Sequence, residues 1–142
     1  MTIATILSGK GAEVTTITAA HSVADAVKLL AERRIGAVPV LKDGAVAGIF
    51  SERDVIHCLA NDGAAGLARS VGEVMTAPAI TVARDEAVLG ALTLMTRRRI
   101  RHLPVVEGEA LIGLVSIGDL VKYRIDRIEA DAEAMRSYIQ GT

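Results

Sequence analysis

Gly48-Ile49-Phe50-Ser51-Glu52-Arg53-Asp54 recurs later in this chain as Gly113-Leu114-Val115-Ser116-Ile117-Gly118-Asp119. Both stretches read Gly, two apolar residues, Ser, two variable residues and Asp. In each, an apolar run precedes the Gly and a helix-like run follows the Asp. A motif that returns at corresponding points indicates two copies of one structural unit.

The repeat extends well beyond this motif. A constant shift of 65 positions aligns residues 16–54 with residues 81–119 without a gap. Arg33-Arg34-Ile35 then meets Arg98-Arg99-Ile100, and many other positions exchange one aliphatic residue for another. The chain therefore consists of two related halves.

Composition and charge exclude several classes of protein. The 142 residues are 51% hydrophobic but only 2% aromatic, so the core is aliphatic, and a net charge of −1 provides no general attraction for nucleic acid or membrane. The single cysteine, Cys58, excludes an internal disulfide and is expected to be a buried thiol. His21, His57 and His102 lack metal-ligand spacing, so no metal site is predicted.

The sequence predicts a soluble, cytoplasmic protein without a membrane partner. No stretch approaches the roughly 20 apolar residues of a membrane span. Residues 1–7 have no basic region, and their apolar run is too short for a secretory signal.

Apolar periodicity and turn residues predict the same order of elements in both halves. The first half reads as a lead-in, a strand, a helix ended by Gly36, a hairpin around Asp43-Gly44, and a helix. The predicted strand covers residues 14–18 and the first helix 22–33. The hairpin strands cover 37–41 and 45–50, and the second helix 51–60. In the second half the predicted elements are a helical turn at 71–75, a strand at 79–82, a helix at 86–98, strands at 103–106 and 110–115, and a helix from Asp119 onward.

The predicted domain organisation follows chain order. Residues 1–62 form the first repeat with its lead-in, and residues 63–70 form a linker that continues a Gly-rich stretch. Residues 71–125 form the second repeat and residues 126–142 a helical extension.

The final helix carries an apolar seam whose members step alternately by four and three residues: Val121, Ile125, Ile128, Ala132, Met135 and Ile139. Such a seam is typical of a coiled coil. It packs either on its own domain or on a partner helix, most simply in a homodimer.

The repeated motif suits an anionic ligand with a sugar. A Ser that ends a strand and begins a helix leaves backbone N–H groups that attract anions such as phosphate. A carboxylate three residues later can accept hydrogen bonds from the two vicinal hydroxyls of a ribose. The structural alternative is that Ser-x-x-Asp only caps the helix, although a capping box prefers Glu or Gln and does not need the recurring Gly.

Basic residues distinguish the two halves. In the run Arg97-Arg98-Arg99-Ile100-Arg101-His102, the first three arginines fit a solvated helix end. Arg101 and His102 fall where a strand begins, while Gly36 and Ala37 are their counterparts. Arg53 similarly aligns with Gly118, so a phosphate partner is predicted beside the first motif, while beside the second only Lys122 or Arg124 of the following helix could take that role.

The combined pattern resembles the CBS domain, named after cystathionine β-synthase, in a tandem pair over residues 14–125. The resemblance rests on the two Gly-x-x-Ser-x-x-Asp motifs, the strands containing Val38-Pro39-Val40 and Leu103-Pro104-Val105, and the Thr-bearing first strands. It implies an α+β fold of two βαββα repeats with pseudo-two-fold symmetry and an extended C-terminal helix. It also implies two clefts for adenosine ligands: AMP, ADP, ATP, NAD(H) or S-adenosylmethionine.

The resemblance assigns site residues by position. Thr16, Ser51 and Asp54 belong to one pocket, with Asp54 on the ribose hydroxyls. The other pocket contains Thr81, Ser116 and Asp119. The residues that border the base are Ala37, Val38, Pro39 and Pro104. Arg53, Arg101 and His102 are phosphate candidates, and the last two could serve either pocket.

Three functions compete at this point. The first is a regulatory sensor that binds an adenine nucleotide and acts in trans on an unknown effector protein. The second is a structural or dimerisation module without a ligand. An enzyme is disfavoured because no nucleophile is paired with a base, and nucleic-acid binding because few aromatic residues are present for stacking.

Overall fold

The chain forms six α-helices, five β-strands and one 3-10 helix over residues 1–11 and 13–141, which the computed structural model describes. The first half contains α1 (Ile3–Lys10), β1 (Ile17–Thr18), α2 (Val23–Arg33), β2 (Ala37–Lys42), β3 (Ala45–Ser51) and α3 (Glu52–Asp62). The second contains the 3-10 helix (Gly63–Ala68), α4 (Val71–Val74), α5 (Val88–Arg98), β4 (His102–Glu107), β5 (Ala110–Ser116) and α6 (Ile117–Gln140). The predicted α+β class is confirmed.

Each half is built on an antiparallel hairpin. The turn between β2 and β3 uses Asp43 at φ 53° and Gly44 at φ 81°, as the Asp-Gly pair predicts. The pairing register shifts once in each hairpin, after Val40 in the first and after Val105 in the second. These residues are 65 positions apart, so the repeat is preserved down to a local irregularity of the sheet.

The first strand of each half is shorter than predicted. Only β1, at Ile17–Thr18, pairs with β2, and the pairing is parallel. In the second half the predicted strand at 79–82 is wrong, because Val82 alone bridges to Val105. Residues 78–80 instead face the cleft between the halves, which takes them away from the sheet edge.

The long helices α2 and α5 end at Arg33 and Arg98, as predicted, but the residue that closes each helix differs from the prediction. Ser22 Oγ accepts a 3.1 Å hydrogen bond from the Asp25 N–H and caps α2. The helix stops at Arg34, whose φ of 53° is left-handed, and α5 stops at its counterpart Arg99 at φ 55°. The prediction that Gly36 ends the helix is therefore wrong.

Each hydrophobic core takes in a helix from outside its own sequence repeat. Ile3, Ile6 and Leu7 of α1 pack in the core of the second repeat, while Val71 of α4 packs in the core of the first. The backbone shows the same exchange, since Ile3 N–H donates to Glu86 O at 2.9 Å and Val71 N–H to His21 O at 2.7 Å. Chain order places the lead-in with residues 1–62, but α1 packs with the second half.

The predicted linker is ordered. Gly66, in its 3-10 helix, is buried against Cys58, and the Cys58 thiol donates to the Gly66 carbonyl at 3.4 Å. Cys58 is a free, buried thiol, as expected from the sequence.

The last helix leaves the body of the protein after its first two turns. Leu120 is fully buried and Tyr123 packs against the second core. The seam is exposed from Val121, at 43%, to Ile139, at 68%. The alternative that this seam packs on its own domain is therefore wrong for the described residues. None of the described helices combines the length and apolarity needed to cross a bilayer.

Candidate functional site

The first copy of the motif lies where β3 ends and α3 begins. The Asp54 side chain folds back, and its Oδ2 accepts hydrogen bonds from Ser51 N–H at 2.8 Å and Ser51 Oγ at 3.2 Å. Asp54 Oδ1 accepts a hydrogen bond from Thr76 Oγ1 at 2.9 Å. Only 7% of Asp54 is exposed. Both carboxylate oxygens are thus engaged by the protein, and the helix-capping role exists whatever else this residue does.

The second copy makes a complete capping box. Ser116 N–H donates to Asp119 Oδ2 at 2.9 Å, and Asp119 N–H donates to Ser116 Oγ at 3.1 Å. The ammonium of Lys10 also reaches this motif, donating to Asp119 Oδ2 at 2.6 Å and to Leu114 O at 2.9 Å. Burial by itself would raise the pKa of Asp119, but the hydrogen bonds from Lys10 and Ser116 outweigh it and lower the pKa.

The motif glycines make room for the protein's own chain. A Cβ added to Gly48 would lie 2.6 Å from Thr76 O and 2.8 Å from the sulfur of Met75. A Cβ added to Gly113 would lie 2.5 Å from Leu7 Cδ2. These close approaches are made by Met75 and Thr76, just after α4, at the first motif and by Leu7 of α1 at the second.

A cavity of about 610 Å³ opens beside the first motif, between the two repeats. Ser51, Arg53 and Ile56 line it from the first repeat. The connecting segment and the second repeat contribute Thr76, Pro78, Ala79, Ile80, Arg98, Arg99, Ile100, Arg101 and His102. The sequence left open which motif Arg101 and His102 accompany; they lie in the cavity with Ser51 and Arg53.

The charge of this cavity is strongly positive. Four arginines line it, Arg53, Arg98, Arg99 and Arg101, against one carboxylate, Glu52. Arg53 also ties the repeats together, since its Nη1 donates to the Arg99 carbonyl at 3.4 Å. Guanidinium groups present several donors in a planar array, which suits phosphate oxygens. The cavity is thus built to receive an anion.

His102 lies between the two motifs. Burial lowers its pKa first, and the positive charge of Lys10 lowers it further, while Asp119 and Glu52 act in the opposite direction. A Cβ on Gly36 would lie 3.6 Å from His102 Cε1. The charges of Lys10 and Asp119 at the second motif and of Glu52 at the first therefore all act on the pKa of His102.

The structure brings only part of the predicted set together. Ser51, Arg53, Arg101 and His102 line the cavity, and Asp54 lies directly behind Ser51 and Thr76. Ser116 and Asp119 lie at the other motif, under Lys10. Thr16 is half-buried and Thr81 is exposed, and neither lines the cavity. The buried residues Ala37, Val38, Pro39 and Pro104 belong to the sheets rather than to the cavity wall.

Three polar residues of the cavity were not singled out from the sequence. The sequence predicts that Arg98 and Arg99 form part of a solvated helix end, but both line the cavity. The sequence does not indicate Thr76, whose hydroxyl donates the hydrogen bond to Asp54 Oδ1. The alignment does not reveal Thr76, because it lies outside both aligned ranges and reaches the motif only through the fold.

Among residues 1–11 and 13–141, no group of three or more His, Cys, Asp or Glu side chains is placed to hold a metal ion. The cationic and hydroxyl groups of the cavity have the chemistry to bind an organic anion directly.

Comparisons with known proteins agree with this architecture. The sequence model of the CBS domain family matches residues 11–61 and 71–126. The chain is 39% identical over 125 residues to the CBS domain-containing protein CBSX3, mitochondrial, of Arabidopsis thaliana, covering 84% of this chain and 61% of that protein. It thus spans less than two thirds of that relative.

Solved structures show the same fold. The crystal structure of a CBS-domain containing protein from Agrobacterium tumefaciens is 38% identical, with a TM-score of 0.84 over 87% of this chain and 99% of that one. The structure of CBSX2 in complex with AMP is 26% identical, with a TM-score of 0.71 over 80% of this chain and 89% of that one.

Proposed function

Because the chain belongs to the CBS domain family and carries two copies of the domain, we propose that it is a regulatory module that binds an adenosine phosphate. The ligand lies in the cavity beside Ser51 and Arg53, and its binding changes how the module acts in trans on an effector protein. The observation that carries the proposal is the arginine-lined cavity of about 610 Å³ between the repeats. The AMP complex of CBSX2 supports an adenosine ligand.

The charge of the cavity selects among the adenosine ligands. AMP, ADP, ATP and NAD(H) carry phosphate groups that Arg53, Arg98, Arg99 and Arg101 can bind through charge-assisted hydrogen bonds. S-adenosylmethionine has a positive sulfonium and no phosphate, so these arginines oppose it. We therefore expect phosphorylated adenosines to bind and S-adenosylmethionine to be excluded.

The two motifs are not equivalent as binding sites. At the second motif, Lys10 donates a hydrogen bond to Asp119 Oδ2. The first motif instead opens into the cavity on its outer face. Asp54 Oδ1 accepts one hydrogen bond, from Thr76, and has a second lone pair that a ribose hydroxyl can use. The proposal is therefore one nucleotide per chain, at the first motif, with Asp54 Oδ1 as the acceptor for a ribose hydroxyl.

The second candidate is an interaction module that binds no ligand. It is favoured by one observation, namely that both motif acids already accept hydrogen bonds within the protein, Asp54 through both carboxylate oxygens and Asp119 through Oδ2. We assign no catalytic residue in either case, since the Ser51 hydroxyl hydrogen-bonds Asp54 and not a histidine base.

Isothermal titration calorimetry with AMP, ATP, NADH and S-adenosylmethionine tests the proposal. Arg98→Ala should weaken binding of the preferred phosphate ligand roughly tenfold or more, because a hydrogen bond to a charged group is lost. Arg97→Ala is the matched control, since this neighbour carries the same charge but does not line the cavity. A folded wild-type protein that binds none of the phosphorylated ligands would establish the ligand-free alternative.

A further inference from the structure

The exposed seam of α6 is a continuous apolar surface on an otherwise charged helix. From Ile125 to Ile139 its large members are between 50% and 68% exposed. The stretch 121–139 is about 27 Å long at the usual helical rise. Exposed apolar surface of this extent on a solvated helix indicates an interaction site. Which partner fits is decided by the charges beside the seam.

The heptad positions of the flanking residues follow from the seam. Ile125, Ala132 and Ile139 take the a positions, and Val121, Ile128 and Met135 take the d positions. The adjoining e positions hold Lys122, Glu129 and Arg136, and the g positions hold Arg124, Asp131 and Tyr138. All of these flanking residues are exposed.

A parallel, in-register pair of α6 helices places opposite charges together. In that arrangement each g residue faces the e residue five positions later on the other helix. Arg124 then faces Glu129 of the second copy, and Asp131 faces Arg136, and each contact occurs twice by symmetry. Asp131 and Arg136 already have partners on their own helix, Arg127 at 3.8 Å and Glu133 at 2.7 Å, which such a pairing would extend into networks.

The antiparallel alternatives are less favourable. In an antiparallel pair, e faces e and g faces g. Full overlap of the seams would place Glu129 opposite Glu129, Asp131 opposite Asp131, and Lys122 opposite Arg136, all of like charge. A shift of one heptad in one direction leaves only residues 128–139 paired. A shift in the other direction brings Ile139 against Leu114, within β5 of the partner body.

We propose that α6 is a dimerisation helix that pairs with α6 of a second copy of this chain, in parallel and in register. The seam supplies the buried surface, and the Arg124–Glu129 and Asp131–Arg136 contacts specify the orientation. The pairing is independent of the nucleotide proposal, because every residue involved lies beyond the cavity.

The role of the seam as a dimer interface can be tested by measuring the molecular mass of the protein in solution. Sedimentation equilibrium of the full chain should give a dimer for the wild type and a monomer for Ile128→Asp. Ala130→Asp adds the same charge on the opposite face of the helix and should remain dimeric. Thermal denaturation of each variant should show that the body stays folded. A monomeric wild type at tens of micromolar, or a dimer that Ile128→Asp leaves intact, would overturn the proposal.

The orientation is tested by charge reversal. Glu129→Arg should weaken the dimer roughly tenfold, since attraction to Arg124 becomes repulsion at both symmetric contacts. Adding Arg124→Glu should restore the dimer, and Asp126→Arg, on the outer face, should have no effect. In each antiparallel register Arg124 and Glu129 face other residues, so a double variant weaker than the single one would refute the parallel pair.

Discussion

Lys10 and Asp119 join the two ends of the folded unit. The ammonium, at the last residue of α1, lies 2.6 Å from the carboxylate in the first turn of α6, 109 residues later in the sequence. Lys10 also holds the carbonyl of Leu114 at 2.9 Å. The amino-terminal helix thus occupies the hydrogen-bonding group that the resemblance assigns to a ribose.

Lys10→Met should open the second motif to a ligand. The substitution keeps the length of the side chain but frees Asp119, so calorimetry should detect a second, weaker adenosine-phosphate site. The loss of stability should be at most about 1 kcal/mol, because both groups of this ion pair are partly exposed. Lys28→Met, which removes an exposed helix-surface lysine, is the control. Unchanged stoichiometry in Lys10→Met would mean that Leu7 and α1, rather than the charge, keep this site closed.

We expect Asp54 both to stabilise the fold and to bind the nucleotide, and two variants distinguish these roles. Asp54→Asn and Thr76→Val each remove hydrogen bonding around a buried carboxylate, and each should cost about 1–2 kcal/mol of unfolding free energy. Only Asp54→Asn should weaken nucleotide binding, because Thr76→Val leaves Oδ1 free for a ribose hydroxyl. Equal affinities of the two variants in calorimetry would reduce Asp54 to a helix cap.

The two motif glycines should differ in their tolerance of a methyl group. Gly48→Ala directs its Cβ at the carbonyl of Thr76, which is fixed by paired hydrogen bonds with Ile49, so it should destabilise by about 1–3 kcal/mol. Gly113→Ala meets only the end of the Leu7 side chain, which can rotate, and should cost less. Gly9→Ala has open space around it and should be neutral or stabilising. Urea denaturation of the three variants measures the order, and equal costs at Gly48 and Gly113 would contradict it.

His102 should make the protein less stable in mild acid. Its pKa is lowered from 6.5, chiefly by burial and secondly by Lys10, so the unfolded chain binds more protons as the pH falls below this value. The free energy of unfolding should therefore decrease between about pH 7 and pH 5.5. Asp119, whose pKa is lowered from 3.8, contributes stability that is lost only in stronger acid.

His102→Gln should flatten this pH dependence, as measured by denaturant titrations across the same range. The exposed His57 provides the control, since His57→Gln should leave the slope as it is in the wild type. An unchanged slope in His102→Gln would show that His102 is not the source of the acid sensitivity.

Most of the fold could be predicted from the internal repeat. Hairpins, long helices and the family followed from the alignment of the halves and from local turn and cap chemistry, and the structure and comparisons confirm them. Local chemistry also accounts for the misses. Arg34 and Arg99 adopt the left-handed conformation that glycine favours, because each closes its helix just before a buried strand.

The site was less predictable because long-range packing builds it. Arg98 and Arg99 have an ordinary helix-end sequence, and only the arrangement of the two repeats turns them toward Arg53. Thr76 and Lys10 reach the motif acids from segments outside the aligned repeat, so no spacing along the chain reveals their contacts. Residue type and local order could be predicted from the sequence, whereas these partnerships could not.

The exchange of α1 and α4 between the cores has a consequence for dissection of the protein. A fragment cut before residue 63 would lack Val71 from its interior, and a fragment starting at residue 71 would lack Ile3, Ile6 and Leu7. Neither product would have a filled interior, so the smallest autonomous piece is the interlocked pair. A circular permutant that begins at residue 13 and carries residues 1–11 behind α6 would retain every contact, provided that the new connection spans the distance.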